Sequence, residues 1–276
     1  MNDINFVKMH GLGNDFVIID NRSESYFLDK EFVTRLSNRR LGIGCDQLII
    51  IEKSSEKIAD AKMIIFNSDG SEAETCGNAS RCIGKLLLDE KKENNILLET
   101  KGGLIDVESI NGVINVDMGS AKLDWRDIPL SHPLDTTNLN LNHGFLKGGF
   151  AVNIGNPHVV FLHDELDKTK LKKDCEAISK LDLFTKGVNI SIAKILSRDH
   201  IQLIVFERGC GFTLACGSGA CATLVAAVKL NKTNKTAKIS MDGGDLEVNF
   251  LNDGHLLMSG STEKIFEGKL ILNNKI

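Results

Sequence analysis

The chain has 276 residues, with 33 Lys and Arg against 37 Asp and Glu for a formal charge of −4, so it offers no basic field that would make a nucleic acid its partner. Hydrophobic residues are 42% and charged residues 25%, a globular balance, and the length suits two domains that each bury a core. No apolar run approaches the ~20 residues of a membrane span, and Met1-Asn-Asp-Ile-Asn-Phe6 lacks the basic and apolar stretches of a signal peptide, so a cytoplasmic protein is expected.

In chain order, β-branched or alternating runs predict strands at 16–19, 47–51, 61–66, 113–116, 159–162 and 201–206. Three predicted helices lie between them and a fourth follows the last. One runs from Glu31 to Arg40, with Asp29 as a cap and Gly42 beyond its end. Another spans Ala79 to Leu88. A third, Glu165 to Lys180, has Leu166, Leu171, Cys175 and Ile178 at helical spacing, with the Lys168–Lys173 charges on a solvated face. The fourth, Ala220 to Val228, is apolar on every side and is therefore read as buried. The fold class these elements suggest is α+β, as two similar halves, each a curved β-sheet wrapped around a central helix.

The halves are visible as a repeat. Thr75-Cys-Gly-Asn78 and Ala215-Cys-Gly-Ser218 place Cys76 and Cys216 at 216 − 76 = 140 residues apart. Residues 13–17 resemble 155–159, 44–49 weakly resemble 187–192, 101–107 resemble 242–248, and 118–120 resemble 259–261, at offsets of 141 to 143. Five matches in one order argue for a duplicated fold. Each of the two cysteines sits just before a predicted helix, where the helix dipole favours a thiolate and the first-turn amides can hold a carboxylate.

Seven cysteines in the chain, an odd number, point to reduced thiols. Cys45, Cys82, Cys175 and Cys221 read as buried core thiols, and no metal is expected because no Cys-x-x-Cys pair occurs. Gly11-Leu-Gly-Asn-Asp-Phe16 is not a dinucleotide fingerprint, since Phe16 stands where the third glycine belongs. Asn14, Asn67, Asn78, Asn156 and Asn189 lie beside turn residues, and each alone is most simply a turn former. As a set flanking the thiols they suggest a polar clamp for an amino acid. Taken alone, His158 is most simply a core or edge histidine, and Glu207-Arg208 a solvent-exposed strand end.

Several ordered segments resemble the diaminopimelate epimerase family over nearly the whole chain. They are Lys8–Phe16, Gly42–Gln47, Phe66–Ser71, Glu74–Asn78, Gly155–His158, Gly187–Asn189 and Glu207–Cys221. The resemblance implies a cofactor-independent enzyme that interconverts LL- and meso-diaminopimelate through two cysteines, Cys76 and Cys216. It implies that Gly77, Asn78, Gly217 and Ser218 bind the carboxylate at the reacting carbon, and that Asn14 and Gln47 hold its ammonium group. Asn67, Asn156, Asn189, Glu207 and Arg208 would recognise the distal end of the substrate, while His158 and Glu207 would tune the thiols. It also implies a homodimer, and a discontinuous first domain, 1–118 plus 264–276, around a second, 119–263. Two places depart from the commoner pattern: Phe212 stands where glutamate or a smaller residue is usual, and Ala79-Ser80 replaces Gly-Ala. A proline or hydroxyproline racemase and a non-enzymatic thiol-containing binding protein are the competing readings.

Overall fold

A computed structural model describes residues 3–24, 26 and 29–271. The chain divides into two compact units. One takes the chain up to Val116 and from Gly260 onward; the other is Asp117–Ser259. Both divides fall within strands, Val113–Ser120 and His255–Gly260, near the 118/119 and 263/264 junctions that the family resemblance implies.

In the first unit β1 (Ile4–Gly11) and β2 (Asn14–Asp20) form a hairpin. Its two turn residues, Leu12 and Gly13, both have positive φ, 55° and 80°, the tight turn that matches strand twist. Asn14 is thereby fixed at the first position of β2. Helix α1 (Lys30–Ser37) is capped by Asp29, whose side chain accepts from the Phe32 amide. It stops short of the predicted Arg40 because Asn38 Oδ1 takes the amides of Arg40 and Leu41 into a turn.

Strand β3 (Gln47–Glu52) runs parallel to β2 and antiparallel to β4 (Ala61–Asn67), setting Gln47 opposite Asn67. After β5 (Glu72–Ala73), an antiparallel partner of β4, the chain enters α2 (Gly77–Lys91). Strand β6 (Asn95–Thr100) then lies parallel to β4, followed by β7 (Gly103–Ile110) and β8 (Val113–Ser120), each antiparallel to its predecessor. Helix α2 packs on β1, β6 and β7, so the sheet wraps around it. The approach is close enough that a Cβ on Gly84 would meet Val107 Cγ1 at 2.4 Å.

The second unit opens with a short hairpin, β9 (Leu141–His143) and β10 (Leu146–Gly148), and then repeats the first unit's ladder. Strands β11 (Phe150–Asn153) and β12 (Pro157–Leu162) are antiparallel, and α3 (Lys168–Ile178) follows, capped by Asp167. Strand β13 (Asn189–Ser197) is parallel to β12 and antiparallel to β14 (His200–Glu207), with β15 (Gly211–Thr213) antiparallel to β14. Helix α4 (Gly217–Lys229) leads to β16 (Thr236–Met241), parallel to β14, and to its antiparallel neighbour β17 (Gly244–Phe250). Strand β18 (His255–Gly260) follows, and α4 packs against β11, β12, β13, β14, β16 and β17. Strand β19 (Glu263–Leu270) returns the chain to pair antiparallel with β1.

Parallel β2–β3 and β4–β6 thus have their counterparts in β12–β13 and β14–β16. This is the α+β arrangement read from the sequence, with one buried helix in each half. Among the described residues no helix is long and apolar enough to cross a membrane.

Candidate active site

The two halves present their thiols in the same local setting. Cys76 is the N-cap of α2, with extended backbone (φ −151°, ψ 107°), and Cys216 is the N-cap of α4 (φ −140°, ψ 111°). Each carbonyl accepts the first helical bond, from Ser80 N at 2.9 Å and Ala220 N at 3.0 Å. Neither side chain caps its helix, so the early amides of each first turn keep their pull on an anion.

In the first unit the half-buried Cys76 Sγ lies 3.8 Å from Asn14 Oδ1. The same oxygen accepts from Asn78 Nδ2 at 3.2 Å, while Asn14 Nδ2 donates to Asp46 Oδ2 at 3.1 Å. Both ends of the Asn14 amide are therefore assigned. Asp46 is held in turn by Arg39, which also grips Asp15 through both terminal nitrogens at 2.9 and 2.6 Å; Lys8 reaches Asp15 at 2.5 Å. Burial alone would raise the Asp15 carboxyl, but Arg39 and Lys8 hold it well below the usual carboxylate range. Gln47 Nε2 donates to Asn67 Oδ1 at 3.0 Å, and Asn67 Nδ2 donates to Ser71 Oγ at 3.0 Å. Gln47 Oε1 is a buried acceptor with no hydrogen-bond partner among the described residues, which suits it to a ligand N–H.

In the second unit Cys216 is 6% exposed, and its Sγ is 3.6 Å from Ser218 Oγ. Burial, reinforced by the Glu207 carboxylate beside it, raises this thiol well above its ordinary value, so it stands protonated near neutrality. Ser218 Oγ also lies 3.0 Å from His158 Nε2, which is 3.0 Å from Asn156 Oδ1. Asn156 Oδ1 can only accept, so the proton belongs on Nε2. Complete burial pulls His158 down to about 3 and keeps the ring neutral. The β12–β13 register sets His158 beside Asn189, whose Oδ1 accepts from the Arg208 amide at 2.9 Å. Arg208 Nη1 donates to the Lys186 carbonyl, and its stem lies where a Cβ on Gly187 (φ 72°) would come within 2.6 Å. Thr213 Oγ1 donates to Glu207 Oε1 at 2.5 Å.

Asn14, Gln47, Asn67, Cys76, Gly77 and Asn78 thus fall in the first unit. Asn156, His158, Asn189, Glu207, Arg208, Cys216, Gly217 and Ser218 fall in the second. Cys45, Cys82, Cys175 and Cys221 are buried, as expected of core thiols, and Cys210 is exposed. Phe212 packs edge-on to Phe206, with ring centroids 5.3 Å apart, and Lys168 Nζ lies 5.6 Å from its ring centre. The residues missed from the sequence are the supporting ones: Lys8, Asp15, Arg39 and Asp46 around Asn14, Ser71 behind Asn67, and Thr213 behind Glu207. All but Arg39 lie inside the segments that carry the family resemblance, which was the available signal.

The diaminopimelate epimerase family profile matches residues 6–123 and 150–265. The chain is 43% identical over 267 residues to diaminopimelate epimerase from Acidiphilium cryptum, covering 96% of this chain and 95% of that protein. The chain belongs to the diaminopimelate epimerase family. The Pelagibacter ubique member is 40% identical over 95% of this chain and 97% of its own length. Among solved structures, a probable proline racemase from Agrobacterium radiobacter superposes with a TM-score of 0.70 at 15% identity, covering 99% of this chain and 94% of that one. A phenazine biosynthesis protein of the PhzF family from Enterococcus faecalis gives 0.68 at 15%, covering 98% and 100%. These two likenesses establish the fold, and the family assignment rests on the sequence relatives.

Proposed function

We propose that the protein is a cofactor-independent isomerase that interconverts LL- and meso-diaminopimelate in lysine and peptidoglycan-precursor synthesis, with Cys76 and Cys216 as its two acid/base groups. The observation that carries this reading is the duplicated setting of the thiols: each is the uncapping N-cap of a buried helix with a polar neighbour at its sulfur, Asn14 in one unit and Ser218 in the other.

The α-proton of an amino acid is very weakly acidic, and inversion requires its removal from one face and a proton's return to the other. A thiolate takes the proton, the C–H electron pair moves toward the carboxylate, and a second thiol delivers its own proton to the opposite face. The thiolate and thiol have then exchanged states. Cys76 is the base on the LL isomer in this reading, and Cys216, held protonated by burial and by Glu207, is the acid. Ser218 can donate its hydroxyl hydrogen to the Cys216 thiolate once it forms, with His158 N–H behind it.

The amides of Gly77, Asn78, Gly217 and Ser218 meet the charge that grows on the substrate carboxylate. Asn14 Oδ1 and Gln47 Oε1 are acceptors for the ammonium group. Asn67, Asn156, Asn189, Glu207 and Arg208 take the distal amino-acid end, where the Arg208 guanidinium suits a carboxylate. The family reading also brings a cytoplasmic homodimer that acts on a small molecule and not on nucleic acid; sedimentation velocity tests the dimer.

Incubation of the reduced protein with LL-diaminopimelate in D₂O is expected to give meso product carrying deuterium at the inverted α-carbon. Absence of both exchange and product overturns the reading. Proline and hydroxyproline in the same assay are expected to stay unexchanged, since neither has a second amino-acid centre for the distal residues.

A further inference from the structure

Arg81 has no counterpart in the repeat. Aligned on the two thiols, its place in the second half is taken by Cys221, at 221 − 81 = 140 residues. It is nonetheless among the largest fully buried side chains, at 0% exposure. An arginine is always ionised, so a permanent cation lies inside the first unit, on the same helix that Cys76 caps. Its Nη2 donates to Asn78 Oδ1 at 2.9 Å, which turns the Asn78 amide so that Nδ2 faces Asn14 Oδ1 at 3.2 Å, the oxygen on which the Cys76 thiol rests at 3.8 Å. Room for the guanidinium comes from β1: a Cβ on Gly11 would stand 3.2 Å from Arg81 Nη2.

We propose that Arg81 is a positioning residue for Cys76, orienting the Asn78–Asn14 amide pair and supplying a buried positive charge that the second thiol's helix lacks. This rests on the reading of Cys76 as one of the two acid/base groups, and it makes the two chemically similar thiols unequal by construction. The neighbouring Cys82 records the field: burial pushes it up to about 12, the Arg81 cation pulls against that, and Cys76 adds to it, so all three groups sense one another. The charges further along the relay, Asp46, Arg39, Asp15 and Lys8, are engaged with each other.

The test reads Cys76 directly and needs no substrate. Intact protein is treated with iodoacetamide at one pH near 7.5, and labelling rates of the Cys76, Cys210 and Cys216 peptides are followed by mass spectrometry. In Arg81→Met, Cys76 labelling is expected to fall about tenfold through loss of thiolate, with exposed Cys210 and buried Cys216 unchanged. Arg81→Lys, which keeps the charge, is expected to stay within about threefold of the parent. A merely structural role for Arg81 predicts the opposite sign, because loosening the fold exposes Cys76 and Cys216 together and speeds both. Should Arg81→Met fail to fold, Gly11→Ala decides by pushing the guanidinium without removing it: Cys76 labelling falls selectively, by about twofold or more. Unchanged Cys76 labelling, or parallel changes at Cys76 and Cys216, overturns the proposal. Failure of the epimerase reading would appear in the deuterium assay and leave this labelling pattern intact.

Discussion

Gly219 and Ala79 occupy equivalent places, three residues after their thiols, and they are not interchangeable. A Cβ on Gly219 would stand 3.0 Å from Val205 Cγ2 and 3.3 Å from Cys216 Sγ. The residue is helical without a left-handed φ, so crowding and not backbone strain forbids a side chain there. Gly219→Ala is therefore expected to displace the Cys216 sulfur, lowering turnover roughly tenfold or more and stability by about 1–3 kcal/mol, read by the deuterium assay and by urea unfolding. Ala79→Gly, which only removes a methyl, is expected to retain turnover within a few-fold.

His158 carries a pH signature of its own. An unfolded histidine takes up its proton near 6.5, whereas the buried ring holds off until about 3. Between these values the unfolded chain binds the extra proton, so this neutral histidine's stabilisation is complete above pH 6.5 and is lost as pH falls toward 3. From pH 6.5 to 5, a window above most carboxylate titrations, the loss is about 2 kcal/mol. Urea unfolding across that window should show the slope in the parent and lose it in His158→Gln; the same slope in both would refute the assignment.

The helices divide into those built for stability and those built for the site. Asp29 and Asp167 cap α1 and α3 through side-chain bonds to first-turn amides, the ordinary solution to unpaired donors. At the same position α2 and α4 carry cysteines that make no cap bond. Cys76→Ser puts a good capping oxygen where the backbone already has N-cap geometry, so the variant should gain about 0.5–1 kcal/mol of stability while losing roughly 100-fold or more of its turnover. A variant both less stable and equally active would show that Cys76 is there for packing.

These helices were legible because their apolar faces and flanking cysteines are local signals, and strands such as Gln47–Glu52 were legible from runs of β-branched residues. Helix ends were less so, since the turn at Asn38 is a side-chain event that periodicity does not report. The relay around Asn14 was illegible for a different reason. Asp46 and Arg39 lie 32 and 25 residues from Asn14 in sequence; only the fold brings Asp46 to the Asn14 amide and Arg39 to Asp46 behind it. Spacing marked the duplicated thiols and the resemblance named Glu207 and His158 beside Cys216, whereas the Arg81–Asn78–Asn14 chain beside Cys76 had to be found in three dimensions.

At the scale of the whole chain, the ladder of the first unit is closed by a strand from the far end of the sequence. Strand β19 pairs with β1 through seven residue pairs, from Ile4–Leu270 to His10–Glu263. Phe266 meets Phe6 edge-on at 6.0 Å, and Gly268 leaves the Phe6 ring its room, since a Cβ there would come within 2.4 Å of it. Because β1 is also a strand on which α2 packs, and its hairpin partner β2 begins with Asn14, closure by β19 reaches the Cys76 setting through two elements. Ending the chain at Thr262 is therefore expected to raise hydrogen exchange in β1 and α2 by an order of magnitude or more, while β13, β14 and α4 keep their protection because the second unit's ladder is untouched. Cys76 alkylation should accelerate with that exposure and Cys216 alkylation should not. Uniform loss of protection in both units would mean that they unfold as one, and full protection of β1 would mean that the hairpin with β2 is enough to hold it.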